Sequence, residues 1–130
     1  MAERDLAVLL RDMEPVLAAL PYGYAVHAGP LPFTPFATVA EAEGQTLIAE
    51  WEALAGLGLA PAALVGPWAR ISLTVHSDLA AVGLTAALAS ALAAKGISAN
   101  VIAGFHHDHI FVAWDQRFDA VAALQALSDA

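Results

Sequence analysis

The run Phe105-His106-His107-Asp108-His109 concentrates three imidazoles and one carboxylate in five residues. Imidazole nitrogens and carboxylate oxygens are donors that zinc and other divalent metals accept. Adjacent spacing works against one shared ion. On an extended strand His107 and His109 face one side, while His106 and Asp108 face the other. A tight turn would gather them, with His76 joining from an earlier strand, but metal sites usually draw ligands from two or more elements. A polar hairpin turn, in which Asp108 holds a histidine or a backbone amide, accounts for the run without a metal. No metal ligand is assigned, and no cofactor is expected.

Imidazoles beside a carboxylate also suit acid–base chemistry. Catalysis asks for more: a nucleophile with its base, paired acid–base groups, or a cofactor motif. The chain has no cysteine, and it contains no GxSxG, GxGxxG, GxxxxGKS or GxxxxGKT pattern. The histidines alone do not make an enzyme, and none is expected.

The composition narrows the partners. Hydrophobic residues make up 59% of the 130 and charged residues 14%, enough for a real core. The length suits one compact domain or two very small subdomains. The formal charge is −8, and the five basic residues (Arg4, Arg11, Arg70, Lys95, Arg117) are scattered. That balance repels phosphate backbones and anionic lipid surfaces, so neither nucleic acid nor membrane is an expected partner. No uninterrupted apolar stretch approaches the roughly 20 residues of a membrane span. Glu3, Arg4 and Asp5 precede the apolar run that starts at Leu6, which is unlike a secretory signal. Without cysteine, a cytoplasmic location is the default.

The elements that would position these groups are legible in the spacing. Leu6, Leu9, Leu10, Met13, Leu17 and Leu20 recur helically, interrupted by Pro15. Proline fits a first helical turn, so the pattern predicts one helix and then a second short one capped by Asp12. Residues 22–28, 36–42 and 45–49 read as strands, the last two joined at Glu43-Gly44. GPLPFTP is a loop, residues 51–57 read as helical, and GLGLAPAALVGP reads as a linker. Ile71, Leu73 and Val75 alternate along a half-buried strand over residues 70–76. Ser77 or Asp78 is placed to cap a helix that ends near Lys95, with Leu84, Leu88 and Leu92 as its stripe and Gly96 as its stop. Strands over 98–104 and 109–114 follow. Asp115 is placed to cap a last helix with the stripe Phe118, Val121, Leu124 and Leu127.

Three stretches, EAEGQTLI, WARISLTVHSDLAAVGLTAALASAL and ISANVIAGFHHDHIFVAW, together resemble a family of bacterial proteins containing ACT domains. The resemblance runs from Phe36 onward and is strongest over residues 68–114. It implies an α+β, ferredoxin-like ACT fold, in which βαββαβ units form an antiparallel sheet with helices on one face. It also implies two ACT-like halves, residues 1–66 and 67–130. The second half supplies β, α, β, β and α and then runs out, so its fourth strand must come from elsewhere. The first half begins without a first strand. The halves are therefore expected to be interdependent and to pack as one body.

ACT modules commonly bind amino acids or similar small molecules at interfaces between modules. They use the first strand-to-helix loop of one module and the second strand of a neighbour. Carried onto this chain, the resemblance implies a site of His76, Ser77, Asp78, Val82, Gly83 and Leu84 with Asn100, Val101 and Ile102. A helix N-terminus suits a carboxylate. Asp78 would accept an ammonium, Gly83 would allow close approach, and Asn100 would both donate and accept. Plainer roles stand beside these: Asp78 as a helix cap, Gly83 for helix packing, Asn100 as a hydrated edge residue. Where many ACT sequences place proline or glycine soon after the acidic residue, this chain has Leu79-Ala80-Ala81. The expected protein is a regulatory sensor of an amino acid or similar metabolite, paired as a homodimer through edge strands such as 98–104. The rival expectation is an interaction protein with no ligand. A third is a divalent-metal binder built on His76, His106, His107 and His109.

Overall fold

Ala69, Ile71 and Leu73 lie on one side of a strand, and the larger core forms on that side. They belong to β5 (Leu64–Leu73). In the computed structural model, which describes residues 2–130, this strand passes from one unit of the fold into another. One unit comprises the residues up to Ala18 together with Ala69–Ala130; the other is Ala19–Trp68.

The first unit contains α1 (Leu6–Asp12), β1 (Pro15–Leu17), the end of β5, α3 (Leu84–Ala93), β6 (Asn100–Ala103), β7 (Asp108–Ala113) and α4 (Arg117–Asp129). Its strands lie in the order β1-β5-β7-β6. Counted from β5, that is 4-1-3-2, the order of a βαββαβ ferredoxin-like sheet whose fourth strand is β1. The missing strand of the second half thus comes from near the amino terminus. Helices α1, α3 and α4 cover one face: Leu9 and Met13, Leu84, Leu88 and Leu92, and Ala120 and Leu124 meet Ile71, Leu73, Ile110 and Val112. Burying one such leucine contributes about 1.5–3 kcal/mol.

The second unit contains β2 (Tyr22–His27), β3 (Ala37–Glu41), β4 (Gly44–Glu50), α2 (Trp51–Ala55), a 3-10 turn over Pro61–Ala63 and the start of β5. Its order, β3-β4-β2-β5, is the same 4-1-3-2 pattern counted from β2. The first helix is replaced by the proline-rich stretch after β2. Ala25, Leu47, Ala49 and Leu54 form its small core.

Several expectations are corrected. The second amino-terminal helix does not form, because Pro15–Leu17 pairs with Ile71–Leu73 as a strand. Proline is admissible at the first residue of a strand. The last third of the stretch read as a linker is strand: β5 begins at Leu64 and carries Gly66 and Pro67. These two lie between Val65 and Trp68, which sit opposite Tyr24 and Tyr22, so the register shifts there. A bulge is where a ladder accommodates proline and glycine. Helix α3 begins at Leu84, preceded by Gly83 at φ 100 with no side-chain cap, so neither Ser77 nor Asp78 caps it. Asp115 caps no helix; it lies within a 3-10 turn, Trp114–Gln116, before α4.

Phe118 is 66% exposed rather than part of the α4 stripe. At about 100° per residue, Ala120, Ala123, Leu124 and Leu127 share one side, and Phe118 falls opposite it. There it stacks with the Arg117 guanidinium, which lies 4.5 Å from its ring centre and 3.9 Å from that of Trp114. Gly96 does stop α3. At φ 72 it donates to Ala93 O while Ile97 donates to Leu92 O, the paired bonds of a glycine-terminated helix.

Candidate functional site

Between β5 and α3, residues 74–83 form irregular turns. Ser77 and Asp108 are the two buried polar residues among those described, 9% and 6% exposed. Ser77 Oγ donates to Asp108 Oδ2 at 2.9 Å, joining this loop to the first residue of β7. A buried carboxylate needs such a donor, since desolvation without one is costly. Asp78 Oδ1 accepts from the Ala80 amide at 2.7 Å, and its Oδ2 accepts from Arg4 Nε at 3.0 Å. The Ala80 amide, then the Arg4 guanidinium, hold the Asp78 carboxyl below the usual carboxylate range.

Ser77, Asp78, Leu84, Thr85, Ala103 and Asp108 surround a pocket of about 60 Å³ at the start of α3. That space suits a few waters or the polar head of a small molecule. Beside it, an open hollow of about 350 Å³ runs past Ala2, His76, Leu79 and Phe105. Leu79 and Phe105 are exposed, at 66% and 76%. The arrangement offers carboxylates and a serine in the recess and apolar surface at the rim.

Of the residues singled out from sequence, His76, Ser77, Asp78 and Leu84 come together here. Val82 is 84% exposed and does not line the pocket. Gly83 lies under Leu6, whose Cδ2 is 3.0 Å from where a Cβ would stand. Asn100, Val101 and Ile102 are on β6, paired with Phe111, Ile110 and His109. The β6 residue at the pocket is Ala103 instead, opposite Asp108. Asn100 is therefore about 10 Å farther along the strand. Arg4, Thr85 and the pocket role of Asp108 are additions that the structure makes. Asp108 was visible only as part of the histidine run, and nothing local in the sequence signals Arg4.

The histidines divide. His76, His106 and His107 cluster, with ring centres 5.3 Å apart for His76–His106 and 6.4 Å for the other two pairs. Among the described residues, no group of three histidines or carboxylates is disposed to hold a metal ion. His109 instead shares a 2.7 Å hydrogen bond between its Nδ1 and Ser72 Oγ. Burial, then the Arg70 guanidinium and His107, push its pKa below the ordinary 6.5, with Asp108 opposing.

A histidine kept neutral by the fold makes stability depend on pH. Above 6.5 both states are neutral there, and its contribution is intact. As pH falls through 6.5, the unfolded chain binds a proton before the native protein does, and stability is lost until pH passes the lower native value. The melting temperature is expected to fall on going from pH 7.5 to 5.5. His109→Asn, which keeps a polar atom near Ser72 without titrating, is expected to flatten that slope. An unchanged slope in the variant would assign the dependence to other groups.

ACT-domain families match residues 1–64 and residues 66–126. A Vibrio cholerae protein of unknown function, known from its crystal structure, is 43% identical, with a TM-score of 0.82 and 95% of each chain covered. The chain belongs to the ACT-domain proteins. Fold similarity extends to an Agrobacterium tumefaciens protein (TM-score 0.70, 15% identity, 89% of each chain). It also extends to the ligand-free regulatory subunit of aspartate kinase from Thermus thermophilus (TM-score 0.63, 11% identity, 87% of this chain and 95% of that one). No curated protein matches. In this ACT-domain protein no helix among the described residues is long and apolar enough to cross a membrane.

Proposed function

We propose that this ACT-domain protein is a cytoplasmic regulatory sensor, not an enzyme, that binds an amino acid or a similar small molecule at the β5–α3 loop. The observation that carries the reading is the buried Ser77–Asp108 pair beside Asp78 in a polar recess at the start of α3. The ligand's ammonium group is taken by the carboxylates, and its carboxylate by the first-turn amides of α3. Its side chain lies along Leu79 and Phe105. A second copy completes the site with Asn100, Val101 and Ile102 from its β6, the edge strand of its unit. The shared fold with an aspartate kinase regulatory subunit supports the regulatory part of this reading.

One observation favours the rival, an interaction protein without a ligand: the recess holds only about 60 Å³. A thermal-shift screen against the twenty amino acids, with wild type and Asp78→Ala side by side, separates the two. A ligand at about 100 times its Kd stabilises the native state by about 2.7 kcal/mol. A melting-temperature rise in wild type that disappears in the variant is the expected result. No rise with any amino acid would move the function to protein partners.

A further inference from the structure

Before α1 begins, the chain crosses the β5–α3 loop. The Glu3 amide donates to His76 O at 2.9 Å, and Glu3 O accepts from the Asp78 amide at 2.8 Å. Glu3 thereby forms a parallel bridge with Ser77, the residue that holds Asp108. Leu6 packs over Gly83 at the start of α3. Downstream, Asp5 accepts from the Ala7 and Val8 amides, and α1 is anchored by fully buried Leu9. The segment is thus fixed at one end by the core and held at the other by contacts near solvent.

Arg4 makes this crossing more than a tether. Asp78 spends Oδ1 on its own loop, through Ala80, which leaves Oδ2 for an external cation. Arg4 Nε occupies that oxygen at 3.0 Å, with side-chain exposure of 71% for Arg4 and 27% for Asp78. An ion pair this open to water is weak and exchangeable. The guanidinium stands where a ligand's ammonium would pair.

We infer that residues 2–5 form a displaceable strap, in which Arg4 occupies the cation position of Asp78 and a ligand's ammonium binds there only by exchanging with it. The inference rests on the ligand reading above. Binding then removes the Arg4 contact and weakens the adjoining Glu3 bridge, so occupancy of the recess is converted into loosening of the amino-terminal segment, a change a partner protein can read. An alternative role for Arg4, holding the ligand's carboxylate, makes the opposite prediction for its removal.

The test is calorimetric titration of each of the twenty amino acids into wild type, Arg4→Ala and Arg4→Lys, with amide hydrogen exchange followed at Glu3 and Asp78. Arg4 is exposed and outside the core, so both variants are expected to fold, which melting curves check. The expected result is that Arg4→Ala binds an amino acid about two- to five-fold more tightly than wild type, with Arg4→Lys between them. Saturation of wild type should also speed exchange at both amides. Equal or weaker binding by Arg4→Ala would overturn the strap while leaving the ligand reading intact. No binding by any of the three proteins would overturn the ligand reading and the strap with it.

Discussion

Leu9→Ala is expected to destabilise the protein by about 2–5 kcal/mol, the range for emptying a fully packed leucine site. Leu9 is 0% exposed and lies in the core shared by α1, α3, α4 and the β5–β7 face. Native domains are stable by only about 5–15 kcal/mol, so the variant approaches the folding threshold. The effect tests an architectural point. An amino-terminal helix that merely preceded two ACT-like halves would tolerate the change. One that completes the core of the first unit, over the sheet and helices of residues 69–130, would not. Urea melts decide between these, and a loss below about 0.5 kcal/mol, as at ordinary surface positions, would remove α1 from the core.

Gly23→Ala is expected to cost about 1–3 kcal/mol through overpacking, although alanine is small. A Cβ at Gly23 would stand 2.6 Å from Trp51 Cε3 and 3.1 Å from the Val65 carbonyl oxygen. The same indole also lies against Gly66, where a Cβ would meet it at 2.7 Å, so moving it off Gly23 gives up both contacts. Trp51 therefore rests on two glycines in neighbouring strands of the second unit. Gly56→Ala is the matched control: φ is −69, and the nearest atom would be 3.5 Å away, ordinary contact. It is expected to be neutral or slightly stabilising. Similar melting of the two variants would mean the indole relocates at little cost.

The parts of the fold written in local spacing were legible. Ile71 and Leu73 alternate, Leu84, Leu88 and Leu92 recur every turn, and Gly96 follows the helix it ends; each pattern has its place in the structure. The elements misread were those decided by distant pairing. Pro15–Leu17 becomes a strand because β5 offers an open edge, not because of its own residues. Gly66 and Pro67 look like linker residues, yet a bulge opposite β2 carries them within β5. At the candidate site the same division holds. Ser77 and Asp78 stood out as polar residues after an apolar strand. Asp108 was legible only as one donor in a histidine run, since its bond to Ser77 spans 31 residues of chain. Arg4 meets Asp78 across 74 residues, and no spacing rule reaches that far.

Residues 19–68 begin just after β1 and end inside β5, and these two strands pair. Leu17 lies opposite Ile71, and the Ala18 amide donates to Arg70 O. The ends of the fifty-residue excursion between them, residues 19–68, are therefore stitched together. During synthesis β1 emerges first and must wait for β5 before it has anything to pair with. Closing so long a loop is entropically slow when its interior is random chain. If the excursion folds first, it brings its own ends near each other and turns a remote encounter into a local one.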